Sequence, residues 1–262
     1  MALYLFGVVR SGMAGRGSGL PALEPEAATS AVTCGALCAV VVETDAALFT
    51  GPGGDERLAD LKWIGPRAVR HQEVLGTLLS SGPVLPARFG TLFSGEERLR
   101  AFLERHEVAI STFLDSTEGA SEWGVRGVLD RPRALEALVA DGMPPDEALA
   151  TLSPGRRYLE ERRLRSEAEQ RLQRWVEETT SPLVTELAAL SRATRSRTPS
   201  RAGDAAPGEE TAFSWALLVD AGAEDRLRTA VAEGGASLAA KGLRLELSGP
   251  WPPYTFCPEL ED

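Results

Sequence analysis

The sequence predicts an α+β chain of two domains, each a small mixed or antiparallel sheet with helices, and three observations carry that reading. Apolar strands and 3.6-period helices alternate as β, β, α, β, α up to about residue 117. The alternation restarts beyond a polar break at 117–120 as β, helices, β, α, β. The later strands each pair an apolar face with a polar one, as in a sheet covered by helices on one side. The domains are therefore expected at 1–119 and 120–262, and the halves share a split βαβ plan.

In the first half, 3–9 is a near-continuous apolar run, a strand covered on both faces. The glycine-rich stretch 10–25 reads as a loop. A second apolar strand at 35–43 is ended by the turn-rich Gly51, Pro52, Gly53 and Gly54. Pro66 suits position N1 of a helix whose Ala68, His71, Leu75, Leu78 and Leu79 share one face. Ser81, Gly82 and Pro83 stop it. The segment 84–93 reads as one strand with Leu85, Ala87, Phe89 and Phe93 on one side, and Pro86 places it at an edge or bulge. Ser94 is the expected cap of one long helix with the stripe Leu99, Phe102, Leu103, His106, Ile110 and Phe113.

The second half opens with a strand at 122–129, with Trp123, Val125 and Leu129 on one face, and a short helix at 132–140. Met143, Pro144 and Pro145 make a break. A helical insertion follows over about 155–192, its apolar row running Leu164, Ala168, Leu172, Val176, Leu183, Leu187 and Leu190, with Ser181 and Pro182 as a break or kink. The segment 191–210 has almost nothing to bury, so 193–210 reads as a flexible loop. A strand at 213–220, a helix at 223–240, a strand at 243–247 and a Pro/aromatic tail, 249–262, complete the chain. Glu122, Arg126, Ser214, Arg244 and Glu246 form the polar sheet face.

Composition narrows the function classes. The 262 residues carry a formal charge of −10, which disfavours a general phosphate-backbone binder. Three cysteines, an odd number, do not make a secreted disulfide framework. Cys34 and Cys38, read as sharing one strand face, would stand about 13 Å apart, too far for one metal ion. The first residues lack the basic start of an export signal, and no apolar run approaches the roughly 20 residues of a membrane span, so a cytoplasmic protein is expected. Gly12, Gly15, Gly17 and Gly19 do not match a phosphate-binding spacing. His71 and His106 are the candidates for chemistry, near enough in the first domain to approach across one sheet, as a small-molecule enzyme or sensor would need. No GxSxG, HExxH or paired-carboxylate motif supports them, and each reads first as a hydrogen-bonded core residue. A nucleic-acid module would need aromatics on the open sheet face, which is charged here. Arg88 reads as an arginine paired with a carboxylate inside the fold, or else as a partner contact. Trp251, Tyr254 and Phe256 are too apolar for a free tail. They are expected to dock against the second domain or between the domains, with Pro250, Pro252 and Pro253 limiting the entropy lost.

Four segments occur in order: YLFGVV at the start, LPARFGTLF in the middle, EWGVRG opening the second half, and GLRLELSGPWPPYTF at the end. Together, with HQEVL beyond Pro66, they resemble the gas vesicle GvpL/GvpF family over essentially the whole chain. The resemblance implies a cytoplasmic, gas-vesicle-associated accessory or minor structural protein that contacts the shell protein GvpA and other accessory proteins. It implies no catalytic residue, cofactor, nucleic acid or membrane, and at least one ferredoxin-like domain. Arg88, Trp251, Tyr254 and Phe256 are the candidate partner-binding or domain-docking residues. The alternative is a ferredoxin-like small-molecule sensor or enzyme using His71 and His106.

Overall fold

The computed structural model describes residues 1–24, 26–142, 153–198 and 208–260. The chain is mixed α+β and forms two compact units, Met1–Glu122 with Pro250–Asp262, and Trp123–Gly249. Among the described residues no helix is long and apolar enough to cross a membrane.

In the first unit β1 (Ala2–Arg10) leads through one helical turn, α1 (Ala14–Gly17), to the hairpin β2 (Ser30–Cys34) and β3 (Leu37–Thr44). The helices α2 (Gly51–Ala59) and α3 (Leu61–Ser81) precede the two-residue strands β4 (Leu85–Pro86) and β5 (Leu92–Phe93). Two more helices follow, α4 (Glu96–Arg105) and α5 (Glu107–Thr117). The sheet order is β2-β3-β1-β4, with β5 also on β1, and every ladder is antiparallel.

Both faces of this sheet are buried, and that is why β1 and β3 read as unbroken apolar runs. Tyr4, Phe6, Val9, Cys38 and Val40 join Val74, Leu75 and Leu78 of α3 in one core. Leu5, Val8, Leu37, Ala39 and Val41 join Leu99, Leu103, Ile110 and Leu114 of α4 and α5 in another. A bulge makes the alternation work. Leu5 pairs with Val41 and Gly7 with Val40, so Phe6 is the extra residue and the parity of β1 flips there. A side chain at residue 7 would place its Cβ 2.8 Å from the Leu85 carbonyl oxygen and 3.0 Å from Leu75 and Val84. Backbone cannot yield there without moving β4. Gly7→Ala is expected to cost roughly 1–3 kcal/mol, read as a fall in melting temperature. An unchanged melting temperature would contradict the close approach of β4 to β1.

The second unit runs from β6 (Ala120–Asp130), which also contributes the last residues of the first, through α6 (Arg131–Gly142) and α7 (Pro154–Ala189). Then come β7 (Ala193–Ser196), β8 (Glu209–Asp220), α8 (Glu224–Ala239) and β9 (Leu243–Trp251). The sheet order is β7-β8-β6-β9. One core lies between sheet and helices. Trp123, Val125, Leu129, Phe213 and Leu217 meet Ala168, Leu172, Leu183 and Leu187 of α7 and Leu227 and Val231 of α8. The opposite sheet face carries an ion-paired network, Arg126 to Glu246 at 2.5 Å and Arg244 to both Glu246 and Glu209.

Several expectations need correction, each for a local reason. The strand expected at 35–43 is β3, and it pairs in a hairpin with β2, a strand the sequence reading did not include. Gly35, with φ +57°, makes the two-residue turn, so Cys34 and Cys38 lie on different strands and different sheet faces. The glycines at 51–54 open α2, where Pro52 fits the first turn. Pro66 lies inside α3 instead of starting it, and Pro182 lies inside α7, which runs through the expected break or kink unbroken. Both prolines are exposed, as are Lys62 and Glu178 four residues back, so water can take the carbonyls they leave unbonded. The expected strand at 84–93 is two short pieces around a turn, which sends Phe89 to the α3 side of the sheet and Leu85 and Ala87 to the other. The long helix after Ser94 is two helices meeting at His106, and Gly95, not Ser94, is the first cap. Part of the expected loop 193–210 is β7, paired along β8 from Ala193↔Leu218 to Ser196↔Trp215. The break at 143–145 and the loop residues 199–207 lie outside the described residues.

Candidate functional site: a buried imidazole and the docked carboxy-terminal segment

His71 reaches the centre of the first unit because α3 buries one face, with His71, Val74, Leu75 and Leu78 at helical spacing. Its Nδ1 lies 2.7 Å from Tyr4 Oη and its Nε2 3.1 Å from the Ala87 carbonyl oxygen. A carbonyl can only accept, so Nε2 carries the proton and Nδ1 accepts from the tyrosine hydroxyl. The ring stacks on Phe6 at 5.5 Å and meets Tyr4 and Phe89 edge-on. Burial pushes the imidazole down to about 4, partly offset by the Ala87 contact, and pushes the Tyr4 phenol up.

The end of the chain closes over this network. Tyr254 Oη lies 3.3 Å from His71 Nε2 and accepts from Gln72 Nε2 at 3.3 Å, with burial pushing its phenol up to about 12. The next residue makes the strongest contact. Thr255 donates its backbone N–H to Glu122 Oε2 at 2.7 Å and its hydroxyl to Oε1 at 2.8 Å. Glu122 is only 1% exposed. A carboxylate so enclosed requires donors of this kind. Tyr254 packs on the α3 side of the sheet, and Phe256, Cys257 and Leu260 pack on the α4–α5 side.

The sequence-derived site residues divide into two pairs. Docking was expected against the second domain or between the domains; Tyr254 and Phe256 are half-buried in the first unit, in pockets lined by α3 and by α4 and α5. Trp251, at the end of β9, stays 43% exposed. Arg88 is exposed on the turn between β4 and β5 rather than inside the fold. Glu122 was expected on a polar sheet face and is instead the buried anchor of the tail. Only its partner Thr255, 133 residues away, marks it, and no local pattern does.

The two histidines are not brought together. His71 belongs to the α3 side of the sheet, whereas His106 caps α4 and α5 on the other side, its ring 4.8 Å from Phe102. An imidazole near 4 stays uncharged at neutral pH, and a general base works best with a pKa near the working pH. The described residues hold no cluster of three or more His, Cys, Asp or Glu suited to a metal.

The depressed His71 value has a consequence for stability. The unfolded chain takes up the proton near pH 6.5 and the folded chain only near 4, so acid favours unfolding. The stabilisation is complete above about pH 6.5 and is lost as pH falls towards 4. At pH 5 the expected loss is roughly 2 kcal/mol. Melting curves between pH 7.5 and 5 should show it, and His71→Gln should flatten the dependence while lowering stability at pH 7.5. An equal slope in both proteins would contradict the assignment.

Comparison with known proteins places this architecture. A family profile described as "Gas vesicle synthesis protein GvpL/GvpF" matches residues 2–258. The chain is 30% identical over 210 residues to gas vesicle protein L of Streptomyces sp. CB03234, covering 79% of this chain and 74% of that protein. It is 27% identical over 221 residues to gas vesicle protein L1 of Halobacterium salinarum, covering 77% of this chain and 73% of that one. The crystal structure of GvpF from Anabaena sp. PCC7120 superposes with a TM-score of 0.72 at 16% identity, over 98% of this chain and 96% of that one. GvpF from Microcystis aeruginosa gives 0.64 at 15% identity, over 98% and 99%. At these identities the two structures speak for the fold.

Proposed function

The chain belongs to the gas vesicle GvpL/GvpF family, and we propose that it is a non-catalytic accessory protein that binds the shell protein GvpA and assists vesicle assembly. The observation that carries the reading is the extent of the family match, 2–258, nearly the whole chain. The physical task fits. A gas vesicle wall exposes apolar surface to gas, so its free subunits are prone to aggregate through apolar patches and strand edges. A chain of net charge −10 stays soluble while presenting apolar side chains on its helices. Leu61 and Val69 on α3, Val108 on α5, and Tyr158 and Leu159 near the start of α7 are all more than half exposed. Helix-in-groove docking or strand addition needs no catalytic residue.

The reading extends to architecture and place. Counted within each unit, both sheets run 2-3-1-4, the order of a βαββαβ ferredoxin-like fold, and in the first unit the first helix has shrunk to one turn. We take the two units as two domains meeting at Glu122–Trp123, and the protein as cytoplasmic and vesicle-associated. Arg88 and Trp251 are the partner-facing members of the candidate set; Tyr254 and Phe256 hold the tail.

Co-expression with GvpA tests the reading. A pull-down on this chain is expected to retain GvpA and to raise its soluble fraction. Arg88→Ala and Trp251→Ala should weaken retention without changing the melting temperature. His71→Gln and His106→Gln should keep retention in the folded protein. No association and no change in GvpA solubility would refute the proposal.

A further inference from the structure

α7 carries opposite charge at its two ends. Between 154 and 165 the sequence has five arginines and two glutamates, within a chain of net charge −10. The buried row of the helix begins at Leu164, and before it Tyr158 is 64% and Leu159 62% exposed. Tyr158, Arg162 and Arg165 follow at steps of four and three residues, so they form one exposed strip. Arg163 is held by Glu160 and Glu167, whereas Arg162 and Arg165 make no ion pair among the described residues. At the other end, the last turns of α7 and the exposed side of α8 frame a cleft of about 310 Å³. Glu186, Asp225 and Glu233 stand around it, with Leu190 and Ala230 as its apolar lining and Arg226 as its one cation. None of the three carboxylates has an ion-pair partner among the described residues.

Solvated charge would explain either end alone. It does not explain apolar side chains set among the arginines at one end and an apolar-lined cleft among the carboxylates at the other. Both patches lie on one continuous helix of 36 residues. Arg162 and Glu186 are about 36 Å apart along its axis, so the two ends of one chain cannot meet. Two copies can bring them together. We propose that the chain pairs with a second copy whose α7 runs antiparallel, each copy seating Tyr158, Leu159, Arg162 and Arg165 at the other's cleft. A twofold axis makes both contacts at once, since the first end of each helix faces the last end of its mate. The arginines meet the carboxylates there, and Tyr158 and Leu159 cover Leu190 and Ala230. Two patches of this size make a weak, salt-sensitive dimer. The pairing does not depend on shell-protein binding, and its test contains no GvpA.

Sedimentation velocity of the full chain over a concentration series should show a reversible monomer–dimer equilibrium. Its dissociation constant is expected to rise about tenfold between low salt and about 0.5 M NaCl. Reversing the charge at either end, Arg162→Glu with Arg165→Glu or Glu186→Arg with Glu233→Arg, should leave monomers, because like charges then face each other. The diagnostic result is the mixture. Combined one to one, the two variants should form a heterodimer about as tight as the native dimer. An acidic helix end then meets a basic cleft, and a basic helix end an acidic one. Circular dichroism confirms that both variants are folded before they are mixed. A native chain that stays monomeric, variants that dimerise unaided, a mixture that stays monomeric, or assemblies that grow beyond two copies would overturn the proposal.

Discussion

A chain ending at Gly249 is expected to melt roughly 6–20 °C below the full-length protein, with the loss confined to the first unit. The tail contributes Tyr254, Phe256 and Leu260, each partly buried and worth about 1–2 kcal/mol. It also supplies two hydrogen bonds to a buried carboxylate, each worth roughly 1.5–3 kcal/mol. Ordering the tail offsets part of this, although three prolines within 250–253 have already restricted the unfolded chain. A net loss of about 3–5 kcal/mol remains, a large fraction of the 5–15 kcal/mol of an ordinary domain. Hydrogen exchange should show β1 and α3 losing protection while α7 and β8 keep theirs. A truncated protein that melts unchanged while losing GvpA would mean that the tail is a recognition peptide and not a strap.

Glu122→Ala is expected to be nearly as costly, about 3 kcal/mol. It leaves the Thr255 N–H and hydroxyl without their acceptor and opens a cavity at a site 1% exposed. The diagnostic feature is coupling. In the chain ending at Gly249 the same substitution should cost far less, because the carboxylate there has already lost its Thr255 donors. Thr255→Val combined with Glu122→Ala should fall short of the summed single effects by about 1 kcal/mol. Strict additivity in both cycles would contradict the contact between Glu122 and the tail.

What could be read in the sequence was what periodicity encodes. The double-faced strand at 3–9 follows from an unbroken apolar run, and the buried row Leu164 to Leu187 of α7 and the apolar faces of β8 and β9 follow from side chains repeating at three to four and at two residues. Local punctuation was less reliable, since tertiary packing overrides it. Pro66 and Pro182 look like helix boundaries until the buried rows on either side outweigh one lost hydrogen bond. β7 is four residues of mostly exposed polar side chains, and only the register of β8 makes it a strand. The hairpin at Gly35 did carry a signal, a two-residue turn with glycine first, between the stretch 30–34 and the apolar run of β3.

The candidate site shows the same division. Burial of His71 follows from its place on an apolar helix face. Its separation from His106 does not, because which side of a sheet a helix covers is a property of connections rather than of helix composition. Docking of Tyr254 and Phe256 was foreseeable from apolar rings on a stiff backbone. The destination was not, since Glu122 and Thr255 are far apart in sequence and each alone is an ordinary polar residue.

The proposed role is that of a holder, which acts in proportion to its own amount, rather than a catalyst, which turns over. Light scattering of GvpA diluted out of denaturant into increasing amounts of this chain separates the two without added metal, nucleotide or cofactor. Expected is suppression of aggregation that rises linearly with the chain and breaks at a fixed molar ratio. Full suppression by a small fraction of that amount, or none at any ratio, would contradict it.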